Sequence, residues 1–297
     1  MISINNDYTR YNSCELRHDK NLEKMIKKKG VCGMAIRTIG FIGCGKMAQS
    51  IINGMITYGG YSPDQIQATA VTDKTINYVT DKFGIQMGHD NKKVAAESDV
   101  LYLAVKPYVY PDVIEEVRSH VREDTIIITI AVGVTLKEMA SLFSPNTKVV
   151  RTMPNTPSFV GEGMTAYSPN ENLTDEELED LQHLFSSYGK AEMVKEELMN
   201  AVTAVSGSSP AYVYIFIEAM ADGAVKQGIP RELAYQLATQ AVYGAAKMVM
   251  DTGIHPGELK DHVTTPNGTT IRALASLEED GFRGSVIKAI DSCFKDK

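Results

Sequence analysis

Residues 36–48 read Ile36-Arg37-Thr38-Ile39-Gly40-Phe41-Ile42-Gly43-Cys44-Gly45-Lys46-Met47-Ala48. The first seven, rich in β-branched and apolar side chains, predict a strand, and the spacing from Lys46 to about Thr57 predicts an amphipathic helix. Between the two lies a G-x-G-x-x-A turn. In such a strand-turn-helix the first glycine permits the tight turn and the second lets a pyrophosphate approach the backbone. A small third residue lets the helix pack on the strand, and free amides at the helix N-terminus bind phosphate. The stretch therefore predicts a dinucleotide site at Gly43, Cys44, Gly45, Lys46, Met47 and Ala48.

Outward from this turn, short β-branched runs alternate with amphipathic stretches. Gln65–Val71, Val100–Val105, Thr125–Ala131 and Lys148–Arg151 read as strands, and Pro111–Val121 and Thr135–Phe143 as helices. Continuous apolar strands separated by helices predict a parallel sheet covered on both faces. The second strand ends in Val71-Thr72-Asp73-Lys74-Thr75, where the adenosine ribose lies in such folds. An acid there suits the ribose hydroxyls of NAD, and a cation with hydroxyl neighbours suits the 2′-phosphate of NADP. Asp73 offers the first; Thr72, Lys74 and Thr75 offer the second, so NADP(H) is the expected cofactor with NAD(H) usable.

After about Glu196 the strand signal stops. Ala211–Val225 is apolar on nearly every side, interrupted only by Glu218 and Asp222, and a helix of that kind needs cover. Burial against a second copy of the chain is expected. A further helix is predicted from Arg231 to about Met250, with Pro230 at its start. The uncharged run Leu198–Ile217 is as long as a membrane span, but Ser206-Gly207-Ser208-Ser209-Pro210 divides it, so no membrane span is expected.

Composition narrows the class. Thirty Lys+Arg against 37 Asp+Glu leave a net charge of -7, which argues against a nucleic-acid surface. The length of 297 residues is enough for about two domains of ordinary size. The four cysteines, Cys14, Cys32, Cys44 and Cys293, form no C-x-x-C pair, so neither a zinc site nor a disulfide framework is expected. The six histidines, His18, His89, His120, His183, His255 and His262, are scattered without metal-binding spacing, and no metal is expected. Residues 1–33 are polar and lysine-rich and read as an N-terminal extension, disordered or foreign to the folded domains. No signal peptide is evident, and the expected location is the cytoplasm.

The second informative stretch is Lys260-Asp261-His262-Val263-Thr264-Thr265-Pro266-Asn267-Gly268-Thr269-Thr270-Ile271-Arg272-Ala273-Leu274. Pro-Asn-Gly marks a turn, and hydroxyls followed by an apolar periodic run mark a helix start. Such a start gathers amides and hydroxyls that suit a small carboxylate; equally, Thr269 or Thr270 could simply cap the helix.

Several motifs occur together in one order: the G-x-G-x-M-A turn, Leu103-Ala104-Val105-Lys106-Pro107, Met153-Pro154-Asn155-Thr156-Pro157, Ser206-Gly207-Ser208-Ser209-Pro210-Ala211-Tyr212, and Thr265–Leu274 continuing through Leu277-Glu278 to Gly281-Phe282-Arg283. From about Met34 to about Ile290 the chain closely resembles the pyrroline-5-carboxylate reductases. The resemblance implies an α/β fold, with a Rossmann-type NAD(P)-binding domain over 34–195 followed by an all-α dimerisation domain over 196–297. It implies NAD(P)H-dependent reduction of L-1-pyrroline-5-carboxylate to L-proline, the last step of proline biosynthesis, by a homodimer that assembles in some members into a decamer. Carried onto this chain, it puts Gly43–Ala48 at the pyrophosphate and Thr72, Asp73 and Lys74 at the adenosine end. Asn91, Ala104, Val105, Lys106, Pro107, Ile130, Ala131, Val132 and His262 would also line the cofactor cleft. Glu196, Thr265, Asn267, Gly268, Thr269 and Thr270 would hold the substrate, the turn at 265–270 reaching it from the helical domain of the partner chain, with the Thr270 hydroxyl on the ring nitrogen as the catalytic contact. Ser209 and Asn267 stand where many members have glycine.

Two other readings remain. β-Hydroxyacid dehydrogenases share the architecture but use a lysine early in the helical domain, and this chain has no lysine between Lys195 and Lys226. A non-catalytic dinucleotide sensor could use the same scaffold, but would not need the turn at 265–270.

Overall fold

The computed structural model describes residues 36–294. The expected extension 1–33, with Cys14, Cys32 and His18, lies outside the described residues. From Thr38 onward the described residues form one compact unit.

Its first half is an eight-stranded sheet: β1 Ile39–Ile42, β2 Ile66–Thr69, β3 Gln86–Gly88, β4 Val100–Leu103, β5 Ile126–Thr129, β6 Lys148–Met153, β7 Gly163–Pro169 and β8 Gly189–Met193. The spatial order is β3-β2-β1-β4-β5-β6-β7-β8. Its first six strands are in the Rossmann order, with β1 paired parallel to both β2 and β4. The chain reverses winding at that point, so a crevice opens beyond the carboxyl ends of β1 and β4. Helices α1 Lys46–Thr57, α2 Asp73–Phe83, α3 Asn91–Glu97, α4 Tyr110–Val117, α5 Leu136–Leu142 and α6 Asp175–Ser186 accompany the sheet. Strands β1, β2, β4 and β5 are buried at every position, which is why their sequences read as unbroken apolar runs.

The structure corrects the sequence reading in two respects. The sheet is mixed, because β7 runs antiparallel to β6. Only a short connector, Pro154–Glu162 with a 3-10 turn over Thr156–Val160, joins them, too short for the crossover a parallel pair needs. The first strand also begins at Ile39 rather than Ile36. The Thr38 amide donates to Asp99 Oδ2 (2.9 Å) and its carbonyl accepts from the Asp99 amide (2.9 Å), so the Asp99 turn ends the ladder there.

Everything after β8 is helical among the described residues. A 3-10 turn over Glu196–Leu198 leads into α7 Met199–Val202, a π turn over Thr203–Gly207, and α8 Ser209–Lys226. Then come α9 Arg231–Thr252, α10 Pro256–His262, α11 Thr269–Glu279 and α12 Phe282–Ser292. In the π turn the Ser208 amide donates to the Thr203 carbonyl (2.9 Å), and the Ser206 carbonyl accepts from Asn155 Nδ2 (3.1 Å) on the sheet side. Within the chain α8 buries only Ala221, and α9 only Ala234 and Ala238. Tyr214 and Ile215 are 60% and 66% exposed. The apolar surface that the sequence expects a second copy to cover is thus open on the single chain. No described helix is long and apolar enough to cross a membrane.

Candidate active site

The G-x-G turn sits at the carboxyl end of β1, in the crevice. Gly43 has φ +88°, and a Cβ there would lie 2.8 Å from Val105 Cγ1 and 2.9 Å from the Ala104 carbonyl oxygen. Only glycine fits this bend. The same close approach places Ala104 and Val105, at the end of β4, against the turn. A Cβ at Gly45 would meet nothing within 4 Å, so the backbone is open on that side. Gly45 is the N-cap of α1; it makes no side-chain cap bond, and the first turn holds no acidic residue. The first amides of α1 therefore remain available to an anion, and the residues present fit a pyrophosphate. Cys44 is buried beneath the turn, and burial pushes its thiol pKa up to about 12, which leaves it a small apolar filler. Ala48 is fully packed on the strand side.

A chain of hydrogen bonds fixes the rim of the crevice. The Gly43 amide donates to Thr69 Oγ1 (3.2 Å), Thr69 Oγ1 donates to Asn91 Oδ1 (2.7 Å), and Asn91 Nδ2 donates to Glu116 Oε2 (2.8 Å). This chain ties the glycine turn to β2, α3 and α4, and brings the expected residue Asn91 beside Gly43. Farther along, the Tyr110 hydroxyl donates to the Leu103 carbonyl (2.7 Å) and lies 2.8 Å from Thr129 Oγ1, to which the Ala131 amide donates (3.3 Å). The Ala104–Pro107 and Ile130–Val132 segments are thereby held to one rim. Thr69, Tyr110 and Thr129 were not singled out from the sequence; threonines at the carboxyl ends of strands were the available signal for two of them.

At the other end of the crevice, Thr72 caps α2 by accepting the Thr75 amide (3.3 Å), and the two hydroxyls lie 3.0 Å apart. Asp73 and Lys74 begin the helix, both exposed. Asp73 Oδ1 lies 2.9 Å from His89 Nε2, while His89 Nδ1 lies 2.9 Å from the Ala70 carbonyl oxygen. The Tyr78 hydroxyl is held below its ordinary pKa by its hydrogen bond from Lys82, with smaller help from the charges of Lys82 and Lys46.

Glu196 is placed differently. Its Oε1 accepts from the Leu136 amide at the start of α5 (2.8 Å) and from Arg151 Nη1 on β6 (3.1 Å). Arg151 is 4% exposed, so this buried cation needs a nearby anion. Glu196 thus ties the sheet to the start of the helical region.

The C-terminal residues form their own turn. The Gly268 amide donates to the Thr265 carbonyl (2.9 Å), with Pro266 second and Asn267 third at φ +57°. Proline then a left-handed residue is the pattern of a type II turn, and asparagine is the non-glycine residue best able to adopt it. Gly268 is the N-cap of α11, with no side-chain cap bond and no acid in the first turn. Neither Thr269 nor Thr270 caps the helix: both lie inside it, exposed. His262 closes α10 with Nε2 3.7 Å from Glu258 Oε1. Among the described residues, no hydrogen bond or ion pair joins this turn to the glycine turn within one chain. No cluster of potential metal ligands occurs among them either.

Residues 196–297 match the family described as pyrroline-5-carboxylate reductase dimerisation, and residues 38–133 the family described as NADP oxidoreductase coenzyme F420-dependent. The pyrroline-5-carboxylate reductase of Escherichia coli is 45% identical over 259 residues, covering 87% of this chain and 96% of that protein. The enzyme of Methanosarcina acetivorans is 43% identical over 257 residues, covering 86% and 95%. In three dimensions the chain is similar to the pyrroline carboxylate reductase of Plasmodium falciparum solved with NADP bound. That match has a TM-score of 0.79 and 29% identity, covering 88% of this chain and 96% of that one. Identity of this order along nearly the whole of each relative, on a sheet with the Rossmann order and an open glycine turn, places the chain in the pyrroline-5-carboxylate reductase family.

Proposed function

We propose that this protein reduces L-1-pyrroline-5-carboxylate to L-proline with NAD(P)H, NADP(H) being preferred, and does so as a homodimer formed through its helical region. One observation carries the reading: two helix N-termini, α1 behind Gly45 and α11 behind Gly268, lack both a side-chain cap and a first-turn acid. Each is an anion receptor. One suits the cofactor pyrophosphate and the other the substrate carboxylate.

In this reading, Gly43–Ala48 hold the pyrophosphate through α1, and Thr72, Asp73 and Lys74 receive the adenosine end. Asn91, Ala104–Pro107, Ile130–Val132 and His262 line the cleft. When bound, the cofactor supplies hydride to the imine carbon. The protonated imine is already electrophilic, so the protein's task is alignment more than acid strength. Thr265, Asn267, Gly268 and Thr269 fix the carboxylate, and the Thr270 hydroxyl contacts the ring nitrogen and sets which face meets the cofactor. Glu196 serves the substrate side indirectly, by fixing where the helical region starts. The family resemblance implies a substrate turn that reaches the cleft from the partner chain, so we assign each site one turn from each of two chains. We put the domain boundary at about residue 196, shortly after the last strand ends at Met193. Assembly of dimers into a decamer and a cytoplasmic location belong to the same proposal.

The test is direct. Purified protein mixed with NADPH and pyrroline-5-carboxylate should lose nicotinamide absorbance in a substrate-dependent way, faster at equal concentration than with NADH. No loss with either cofactor would favour a dinucleotide sensor. Thr270→Ala should lower kcat by about 10- to 1,000-fold while cofactor affinity holds, the range expected when one orienting contact is lost; unchanged turnover would remove Thr270 from the mechanism.

A further inference from the structure

His89 follows β3 and precedes α3, facing the start of α2. Its two ring nitrogens each meet an acceptor at 2.9 Å, the Ala70 carbonyl at Nδ1 and the Asp73 carboxylate at Nε2. Neither partner carries a proton to donate. A neutral imidazole has one N–H and can satisfy only one of the two contacts; the other would set lone pair against lone pair. Both bonds together require the imidazolium. The pair also stands in a particular place, because Ala70 leaves β2 and Asp73 opens α2, the segment where a cofactor's adenosine ribose lies in this fold. Both side chains are open to solvent, His89 at 57% and Asp73 at 85% exposed.

We propose that His89 is a cofactor-selecting residue: as an imidazolium clamped to Asp73 it neutralises that carboxylate and admits the 2′-phosphate of NADP(H), and on losing its proton it leaves Asp73 bare and turns preference towards the ribose hydroxyls of NAD(H). The inference rests on the adenosine end lying at residues 72–74, as proposed above. Asp73 on α2, Asp90 at the N-cap of α3 and Lys93 on α3 are the charged groups beside the ring, and Lys74 follows Asp73 on α2. The Asp90 carboxylate is engaged as the cap of α3, accepting the Lys93 amide (3.0 Å), and Asp73 makes the ionic contact. The hydrogen bond to Asp73, aided by the Ala70 carbonyl, raises the His89 pKa above its ordinary value, so the imidazolium persists to higher pH than on a free ring.

The sign follows from charge. Below the His89 pKa the pair is neutral and Lys74 acts on the phosphate unopposed; above it the pair carries one negative charge. A phosphate is doubly charged over most of that range and a ribose hydroxyl is uncharged, so the change falls on NADP(H).

Calorimetric titration with 2′,5′-ADP and with 5′-AMP reads the 2′-phosphate contribution without turnover. In the wild type, the ratio of the two affinities should fall about three- to tenfold between about pH 6.5 and about pH 8.5, the order expected of one charge in partly screened surroundings. His89→Gln should give a low ratio with no such fall, and His89→Lys, which keeps the charge, a high ratio throughout. The same fall in His89→Gln, or a low ratio in His89→Lys, would overturn the assignment. If Asp73→Asn and Lys74→Ala leave 2′,5′-ADP binding unchanged, the adenosine end itself is misplaced. If they change it while His89→Gln keeps the wild-type fall, only the role of His89 is lost. Nitrogen-15 NMR of the unmodified protein supplies a check that needs no variant: both ring nitrogens of His89 should be protonated at about pH 6.5, and a neutral ring there would refute the clamp.

Discussion

Strands β1, β2, β4 and β5 have no exposed position, whereas the two longest helices, α8 and α9, bury only three alanines between them. Apolar side chains are abundant in both regions, so composition does not explain the contrast. In the sheet the chain covers its own strands with its own helices. In the helical region Tyr214, Ile215 and Ile287 stand 60%, 66% and 61% exposed, so the chain does not cover them itself. The first region carries its own folding free energy; in the proposed homodimer the second would gain much of its own on association, and its stability would then depend on concentration.

The sharpest way to break that comparison is a charge on the helical surface. Ile215→Asp should abolish association in light scattering and cut turnover by at least about a hundredfold, as an unpaired charge at an interface does, while cofactor binding persists. A fully active monomer would end the comparison. Next comes one truncation made in each region. Leu101→Ala, at a position with 0% exposure, should cost about 2–5 kcal/mol in urea unfolding at any protein concentration. Leu237→Ala, at 51% exposure, should cost under about 0.5 kcal/mol in dilute monomer and more as the dimer forms. Within the glycine turn, Gly43→Ala should cost about 1–3 kcal/mol of stability, because its φ of +88° and its neighbours exclude a Cβ. Gly45→Ala should leave the melting temperature nearly unchanged and weaken NADPH about tenfold. Equal stability losses at the two glycines would refute this division of labour. The smallest effect belongs to Asn267→Gly, which relieves the left-handed backbone at φ +57° and should stabilise the chain by a few tenths of a kcal/mol in thermal melts.

What the sequence disclosed depends on how locally each feature is determined. Ile126–Thr129 and Val100–Leu103 were legible because strands buried on both faces leave an unbroken apolar run. Gln86–Gly88 and Gly189–Met193 lie at the two edges of the sheet, where polar side chains erase that signal. The reversal at β7 was hidden for another reason. Gly163–Pro169 mixes small, polar and aromatic residues, and strand direction is decided by pairing with β6, not by local composition. In the site, the glycine turn was readable because six consecutive residues specify it. The Thr69–Asn91–Glu116 chain and the His89–Asp73 pair join positions 16 to 25 residues apart, and no local pattern announces such meetings. Glu196 shows the converse: a residue marked by its position at the boundary turns out to be held by Arg151 and the start of α5.

The π turn over Thr203–Gly207 makes chain length itself a coded quantity. It holds a wider loop than an α-helix, closed by the bond from Ser208 to Thr203 five residues back. An ordinary α-helix makes the same sweep with one residue fewer, so deleting one residue here would leave α8 nearly in place, whereas winding all five residues as α-helix would rotate everything beyond them by about 100°. The Tyr214 and Ile215 face would then point elsewhere, with every side chain of the surface intact and none of it in register with its counterpart.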